Sequence, residues 1–392
     1  MHKFPGDLNI SGSLISAKQI HLNLQNGTIG TLTEQKHETG ISDARNYRIE
    51  HSKTDVGSQI NTQGDLTVYS GGGVNITQGQ INSGQGTVGI AGQNVRITEG
   101  RRSGSVDAAV YNKSNLGISS HSVSMHGGES YNQAQGSSIT GSRVVVQAQK
   151  NLDVRGSNIV SDNQTFLGAG GAVSITAAQN THNSHRQQRE TGSGIMGTGG
   201  GILIGSQTEG ELNRQSSTGH TLSTIGSTHG RVDIQGKGNV LVSGTEIIAA
   251  KGGSIIGSNV RVESVVDTLD SENKRYKESS GVFIGAQSNV TDAVAAIKNS
   301  SERGSEVSDP RLKALYAAKA AYAVKDLSSI AQTATQAGGK SGVSGKITVG
   351  VGTRRSESED RAHIDTVRKS TLHTQADSTF TIEPHRFIEY RS

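Results

Sequence analysis

Two histidines three residues apart, His182 and His185, stand in the polar run NTHNSHRQQRE (180–190). On a helix that spacing would turn both imidazoles to one side, where a zinc ion could share them. In a strand, alternation sends them to opposite faces. The run reads as strand and offers no carboxylate at a fitting spacing, so no zinc site is expected. The tetrapeptide GGKS (338–341) has the last four letters of a phosphate-cradling loop. That loop needs a glycine six residues before its lysine, so that its backbone N–H groups wrap the phosphates, and the position is Ala334. A turn is expected there. Glycoside cleavage would need two carboxylates converging about 5 to 9.5 Å apart. The candidate acids Asp153 and Asp233 share equivalent repeat positions with Asn75, Arg96, Ser174, Leu241 and Arg261, which make no acidic column. Arg101-Arg102 and Arg354-Arg355 read as solvated charge, with contact to lipid phosphate or glycan as the alternative. No catalytic, cofactor-binding or metal-binding residue is expected.

Composition narrows the classes. The 392 residues include 52 Gly, and 18% are charged, against roughly 7% Gly and roughly 25% charged in ordinary proteins. Eight Tyr, five Phe and no Trp leave burial to Val, Ile and Leu. The 38 basic and 34 acidic residues give a formal +4, too scattered for a nucleic-acid footprint, and stacking platforms for bases are absent. There is no Cys, so neither a disulfide framework nor a thiolate metal site is encoded. MHKFPGDLNI has no apolar run of signal-peptide length, and no segment approaches 18 apolar residues.

The elements that would position any site come from a repeat. Four hydrophobic–polar–hydrophobic triplets, Leu8-Asn9-Ile10, Val74-Asn75-Ile76, Leu152-Asp153-Val154 and Val240-Leu241-Val242, open four copies. Seven residues on stand Ile15, Ile81, Ile159 and Ile247. Near fourteen stand Leu22, Val88, Phe166 and Ile255, and near twenty-one Ile29, Val95, Val173 and Val260. These sixteen residues form the expected structural ladder. Period-two alternation makes each triplet a short strand, and the Gly, Ser and Asn between them are turn chemistry. Val74 to Val95 is 21 residues and Val68 to Ile90 is 22, so three bends return the chain to its start. The expected architecture is a parallel β-solenoid of about eight coils, about 40 Å long at roughly 4.8 Å per coil.

The expected division is β-helix units at 1–31, 57–97, 136–176 and 226–263, arms at 32–56, 98–135, 177–225 and 264–370, and a further coil starting in 371–392. Each arm is read as a β-hairpin whose apolar run, GGGILIG (199–205), GVFIG (281–285) or KITVGVG (346–352), packs on its neighbour. An α-helical hairpin insertion is expected at about 291–337. Asp309 caps its main helix, Pro310 takes the first position, and Leu312, Leu315, Tyr316, Ala320, Ala323, Leu327 and Ile330 make one apolar face. A shorter helix over 292–299 pairs with it.

Gly136 to Ile139 (GS-x-I), Val144 to Val146, Asn151 to Ile159 (N-L-D-V-x-G-S-x-I), Val173 to Ile175 and Gly199 to Gly205 together resemble the haemagglutinin repeats of the filamentous haemagglutinin family. Asp309 to Asp326 looks like an insertion in exoproteins of contact-dependent growth inhibition. The resemblance covers nearly the whole chain. It implies an all-β, right-handed parallel β-helix, exported through an outer-membrane partner pore and secreted or displayed on the bacterial cell surface. It further implies a receptor on a target cell or host surface, outer-membrane lipid or glycan as another contact, and no small-molecule substrate. Members are adhesins or carriers of a C-terminal toxin. The Asn-Pro-Asn-Leu secretion motif is missing, with Pro only at 5, 310 and 384, and so is a Val-Glu-Asn-Asn boundary. The chain therefore reads as a fragment of a larger exoprotein or a broken gene's product. The expected function is a non-enzymatic, adhesive stalk in cell adhesion or contact-dependent toxin delivery. The alternative is a polysaccharide-active β-helix enzyme.

Overall fold

A computed structural model describes residues 6–116, 119–198, 201–287, 346–374 and 378–384. Every regular element among them is a β-strand. The expected helical hairpin (291–337) and the GGKS turn lie outside the described residues.

Each triplet strand pairs in parallel with the strand one coil on, and three such strands make a coil. On face 1 one column runs Leu8, Gly27, Val74, Val95, Leu152, Val173, Val240, Val260, and a second starts Ile10, Ile29, Ile76, Ile97. Face 2 stacks Ile15, Ile60, Ile81, Ile139, Ile159, Ile225, Ile247 and Leu372. Face 3 stacks Ile20, Leu66, Val88, Val144, Thr165, Val232, Gly253 and Phe380, with a second column from Leu22 and Val68 through Leu167 to Ile255 and Ile382. Eight coils result, an arrangement consistent with a β-helix. Alternation puts the column residues inside, and Val74, Ile81, Val95, Ile139, Leu152 and Ile247 are at most 1% exposed. Each such burial contributes about 1.5 to 3 kcal/mol.

Phe166 departs from the expected ladder. Thr165 and Leu167 are buried, while Phe166 is half-buried in the outward row between Val145 and Asp233. Coil 3 reaches its first inward residue of face 3, Val88, seven residues after Ile81, whereas coil 5 reaches the equivalent Thr165 six residues after Ile159. One residue reverses the pleat, so a constant count from the anchor lands on the wrong side. Ile29 stands beside Ile10 and Ile76, not beside Val95, and Val88 and Ile255 occupy different columns. Asp233 is on face 3, away from the face 1 row that holds Arg96 and Asp153.

The corner from face 1 to face 2 alternates. In coils 1, 3, 5 and 7 it turns on one residue with positive φ: Gly12 (55°), Gln78 (51°), Gly156 (53°) and Gly244 (59°). In coils 2, 4, 6 and 8 the chain leaves the rod there as an antiparallel arm. Arm 1 is built from Gly27–Asp43 and Asn46–Gly57, arm 2 from Gly100–Leu116 and Ser119–Gln135, arm 3 from Ala178–Thr198 and Gly201–Thr221, and arm 4 from Val265–Gln287 and Lys346–Arg368. A hairpin is two strands wide and the arms recur every two coils. Both repeats are about 9.6 Å at roughly 4.8 Å per strand or coil, so the arms can join into one continuous sheet without strain. They do: the incoming strand of each arm pairs with the outgoing strand of the next.

Candidate interaction surface

Each arm is fixed at its neck by a hydroxyl. Ser58, Ser137, Ser223 and Ser370 are the residues at which the four arms rejoin face 2. Their Oγ atoms donate to the carbonyls of Gly30 (2.7 Å), Thr98 (2.7 Å), Thr176 (2.7 Å) and Glu263, where the same arms leave face 1. Each Oγ also accepts from the corner amide of the preceding coil: Ser13 (3.4 Å), Gly79 (3.0 Å), Ser157 (3.2 Å) and Thr245 (3.1 Å). Ser58, Ser137 and Ser223 are fully buried. The serine of GS-x-I (Gly136 to Ile139) is thus a clasp, a role that reading the motif as a turn missed. Its signal was a serine one residue before a re-entering strand.

The clasps set a common level. Counting k residues out from Gly30, Thr98, Thr176 and Glu263, and k residues back from Ser58, Ser137, Ser223 and Ser370, gives the residues that lie opposite. Level 7 reads His37, His51, Ser105, Ser130, Asn183, Ser216, Asp270 and His363 across all eight arm strands.

Levels 7 to 9 of arms 2 to 4 line an open groove of about 870 Å³. Its charged and ionisable members are Asp107, Glu129, His185, Arg214, Asp270, Glu272, Arg361 and His363. Glu272 is held by Lys274 Nζ at 3.0 Å, Arg361 at 3.2 Å and Arg214 at 3.4 Å. The Lys274 hydrogen bond, against some burial, keeps the Glu272 carboxyl below its ordinary range. His363 bonds Asp270 through Nδ1 at 2.5 Å and approaches Asp365 through Nε2 at 3.2 Å. The Asp270 hydrogen bond and the two carboxylate charges push its pKa up. Near the neck of arm 4, burial works to raise Asp267, and Arg368 and His220 outweigh it to leave the carboxyl lowered. Such a surface offers donors and acceptors of both signs along an extended row.

The arms end unevenly. Arm 2 closes at level 18 with Leu116 opposite Ser119, where arms 3 and 4 carry Gly194, Gly205, Gly281 and Gly352. A Cβ on Gly205 would lie 2.0 Å from the Ser280 carbonyl, so this level needs glycine for the strands to approach. One level on, Ile195, Ile204 and Val351 are 55%, 43% and 82% exposed. On the reverse side Leu203 and Phe283 pair and are buried, with the Arg354 guanidinium 4.2 Å from the Phe283 ring centre.

The residues with possible chemistry are dispersed. His182 and His185 lie on opposite faces of the arm sheet, His182 3.6 Å from Glu129 and His185 with its ring 5.4 Å from that of His126. Arg96 pairs with Asp153 at 3.3 Å, in an outward row where Asp153 is the one carboxylate. Arg101 bonds Glu99 at the root of arm 2. Among the described residues no group of three or more His, Cys, Asp or Glu is placed to hold a metal.

A family profile described as Hemagglutinin repeat matches residues 116–282. The chain is 36% identical over 249 residues to the tRNA nuclease CdiA of Escherichia coli (strain NC101), covering 62% of this chain and 7% of that protein. It is 34% identical over 251 residues to the 16S rRNA endonuclease CdiA of Enterobacter cloacae, covering 62% and 8%. Against a tRNA nuclease CdiA of Burkholderia pseudomallei the figures are 30% over 162 residues, 41% and 13%. The chain thus spans a small part of these relatives' length. No solved structure matches it. Residues 116–282 match the hemagglutinin repeat, and the chain is similar over about 250 residues to CdiA proteins.

Proposed function

We propose that this segment is a non-catalytic, right-handed β-helical stalk of a large exoprotein, exported through an outer-membrane partner pore and displayed on a bacterial surface. Its rod sets distance, and its arm sheet is the adhesive face toward a receptor on the target cell. In relatives named as nucleases the repeat would serve delivery of the nuclease, and the same role is assigned to the whole protein of which this segment is part. The observation that carries this reading is the arm on every second coil. It converts a three-residue-strand core, which has little outward surface of its own, into a broad polar sheet with a groove and an apolar tip.

The test is binding of purified, labelled chain to target cells, with arm 3 (178–221) replaced by a Gly-Ser turn. Binding should fall at least tenfold while β circular dichroism persists. Undiminished binding would contradict the adhesive role, and release of reducing sugar that is lost in Asp153→Asn would favour the polysaccharide-active reading instead.

A further inference from the structure

We propose that His37 and His51 form a two-imidazole clamp for a divalent transition metal, with copper(II) preferred, in the middle of arm 1. The two residues stand directly opposite each other on the outgoing and incoming strands, seven residues from Gly30 and seven from Ser58. Cross-strand partners of an antiparallel pair share a face. Their Nδ1 atoms lie 2.8 Å apart, and the rings, with centres 4.2 Å apart and planes tilted by 33°, sit side by side. Both side chains are exposed, so an ion reaches them from solvent.

The spacing selects the metal. Two imidazole nitrogens, each about 2.0 to 2.1 Å from one ion, stand about 2.9 Å apart when they meet it at a right angle and about 3.3 Å apart at a tetrahedral angle. At 2.8 Å the pair fits neighbouring corners of the tetragonal geometry that copper(II) and nickel(II) favour, and copper(II) leads the affinity order at such a site. Among the described residues no third histidine or carboxylate joins them, so water fills the other corners.

The far nitrogens settle where the protons sit. Thr39 lies two residues along the same strand and therefore on the same face, with its Oγ1 2.9 Å from His37 Nε2. With Nε2–H donating to that hydroxyl oxygen, the His37 lone pair stays on Nδ1. Metal-bound imidazoles are oriented in this way by a partner on the other ring nitrogen. His51 Nε2 has no partner among the described residues, so the His51 proton can move there through water and leave its Nδ1 to the metal. A metal held by both rings staples strands whose ligands are 14 positions apart in sequence, at the level that continues into the groove of arms 2 to 4.

The test uses the full chain with isotope-labelled histidine and copper(II) chloride in a non-chelating buffer near neutral pH. The imidazole signals of His37 and His51 should broaden together, at one copper concentration. In His37→Gln, an exposed change that leaves the strand pairing in place, the His51 signal should need at least tenfold more copper. Copper should also slow amide exchange across arm 1 in the parent chain and leave it unchanged in His37→Gln. His51 broadening at the same copper concentration in His37→Gln overturns the clamp. So do two imidazoles that respond at different concentrations in the parent chain, or arm 1 amides whose exchange copper does not slow.

Discussion

Glu99 accepts a hydrogen bond from Arg155 Nε at 2.8 Å, although the Glu99 side chain is 1% exposed. Arg155 belongs to face 1 of coil 5 and Glu99 to the root of arm 2 on coil 4, so the pair ties an arm to the next coil. Its second oxygen takes Arg101 at 2.6 Å. Glu99→Gln keeps the shape and removes the charge under two guanidinium groups that still reach water. It should cost about 2 kcal/mol, the scale of hydrogen bonds to charged groups. Denaturant melts of Glu99→Gln, Arg155→Gln and the double variant should show a coupling of about 1 kcal/mol or more; strict additivity would mean that the arm root is held by something else.

The clasp serines predict a second loss. Ser137→Ala leaves the Gly79 amide without its hydroxyl partner in a fully buried neck and takes from the Thr98 carbonyl the donor it has besides the Gln78 amide. The expected cost is about 1 to 3 kcal/mol. Amide exchange should quicken at Gly79 before it does in the columns, and an unchanged exchange rate at that amide would contradict the clasp.

Val74 is 0% exposed beneath Val95. Val74→Asp buries a carboxyl with no partner, at several kcal/mol or a large pKa rise, and should unfold or aggregate the chain. Asn75→Asp, one residue on and exposed, should leave melting nearly unchanged. Equal melting of the two variants would refute the inward assignment.

His363 titrates above its ordinary 6.5 because Asp270 and Asp365 favour its charged form. A raised folded-state pKa stabilises the fold at pH below 6.5, and the contribution is lost as pH rises through the higher folded value. NMR titration should place the His363 midpoint above 6.5, and Asp270→Asn should lower it. A midpoint at or below 6.5 in the parent chain would show the ion pair to be open in solution.

Much of the rod was legible because burial leaves a period-two trace. Ile15, Ile81, Ile159 and Ile247 recur at one offset from their anchors and stand in one column. Corners carry no such trace, and a corner one residue shorter in coil 5 than in coil 3 was enough to turn Phe166 outward. The arm sheet was harder still. Its levels pair polar with polar, as in Ser130 opposite Asn183, so hydropathy says nothing of register. Their alignment comes from distance to the clasps, which is visible only once Ser58, Ser137, Ser223 and Ser370 are known to share one position. The groove follows from that alignment, which is why His185 alone of its residues was weighed as a candidate ligand.

The central claim, that coils lie on one another in parallel with one polar row running up face 1, is tested by spin-label distances in this cysteine-free chain. Asn75 and Arg261 occupy that row five coils apart, and Asn9 and Arg261 seven. Labels at Asn75→Cys with Arg261→Cys should lie about 24 Å apart, and at Asn9→Cys with Arg261→Cys about 34 Å, at roughly 4.8 Å per coil. Distances that do not lengthen by about two coil spacings between the pairs would contradict it.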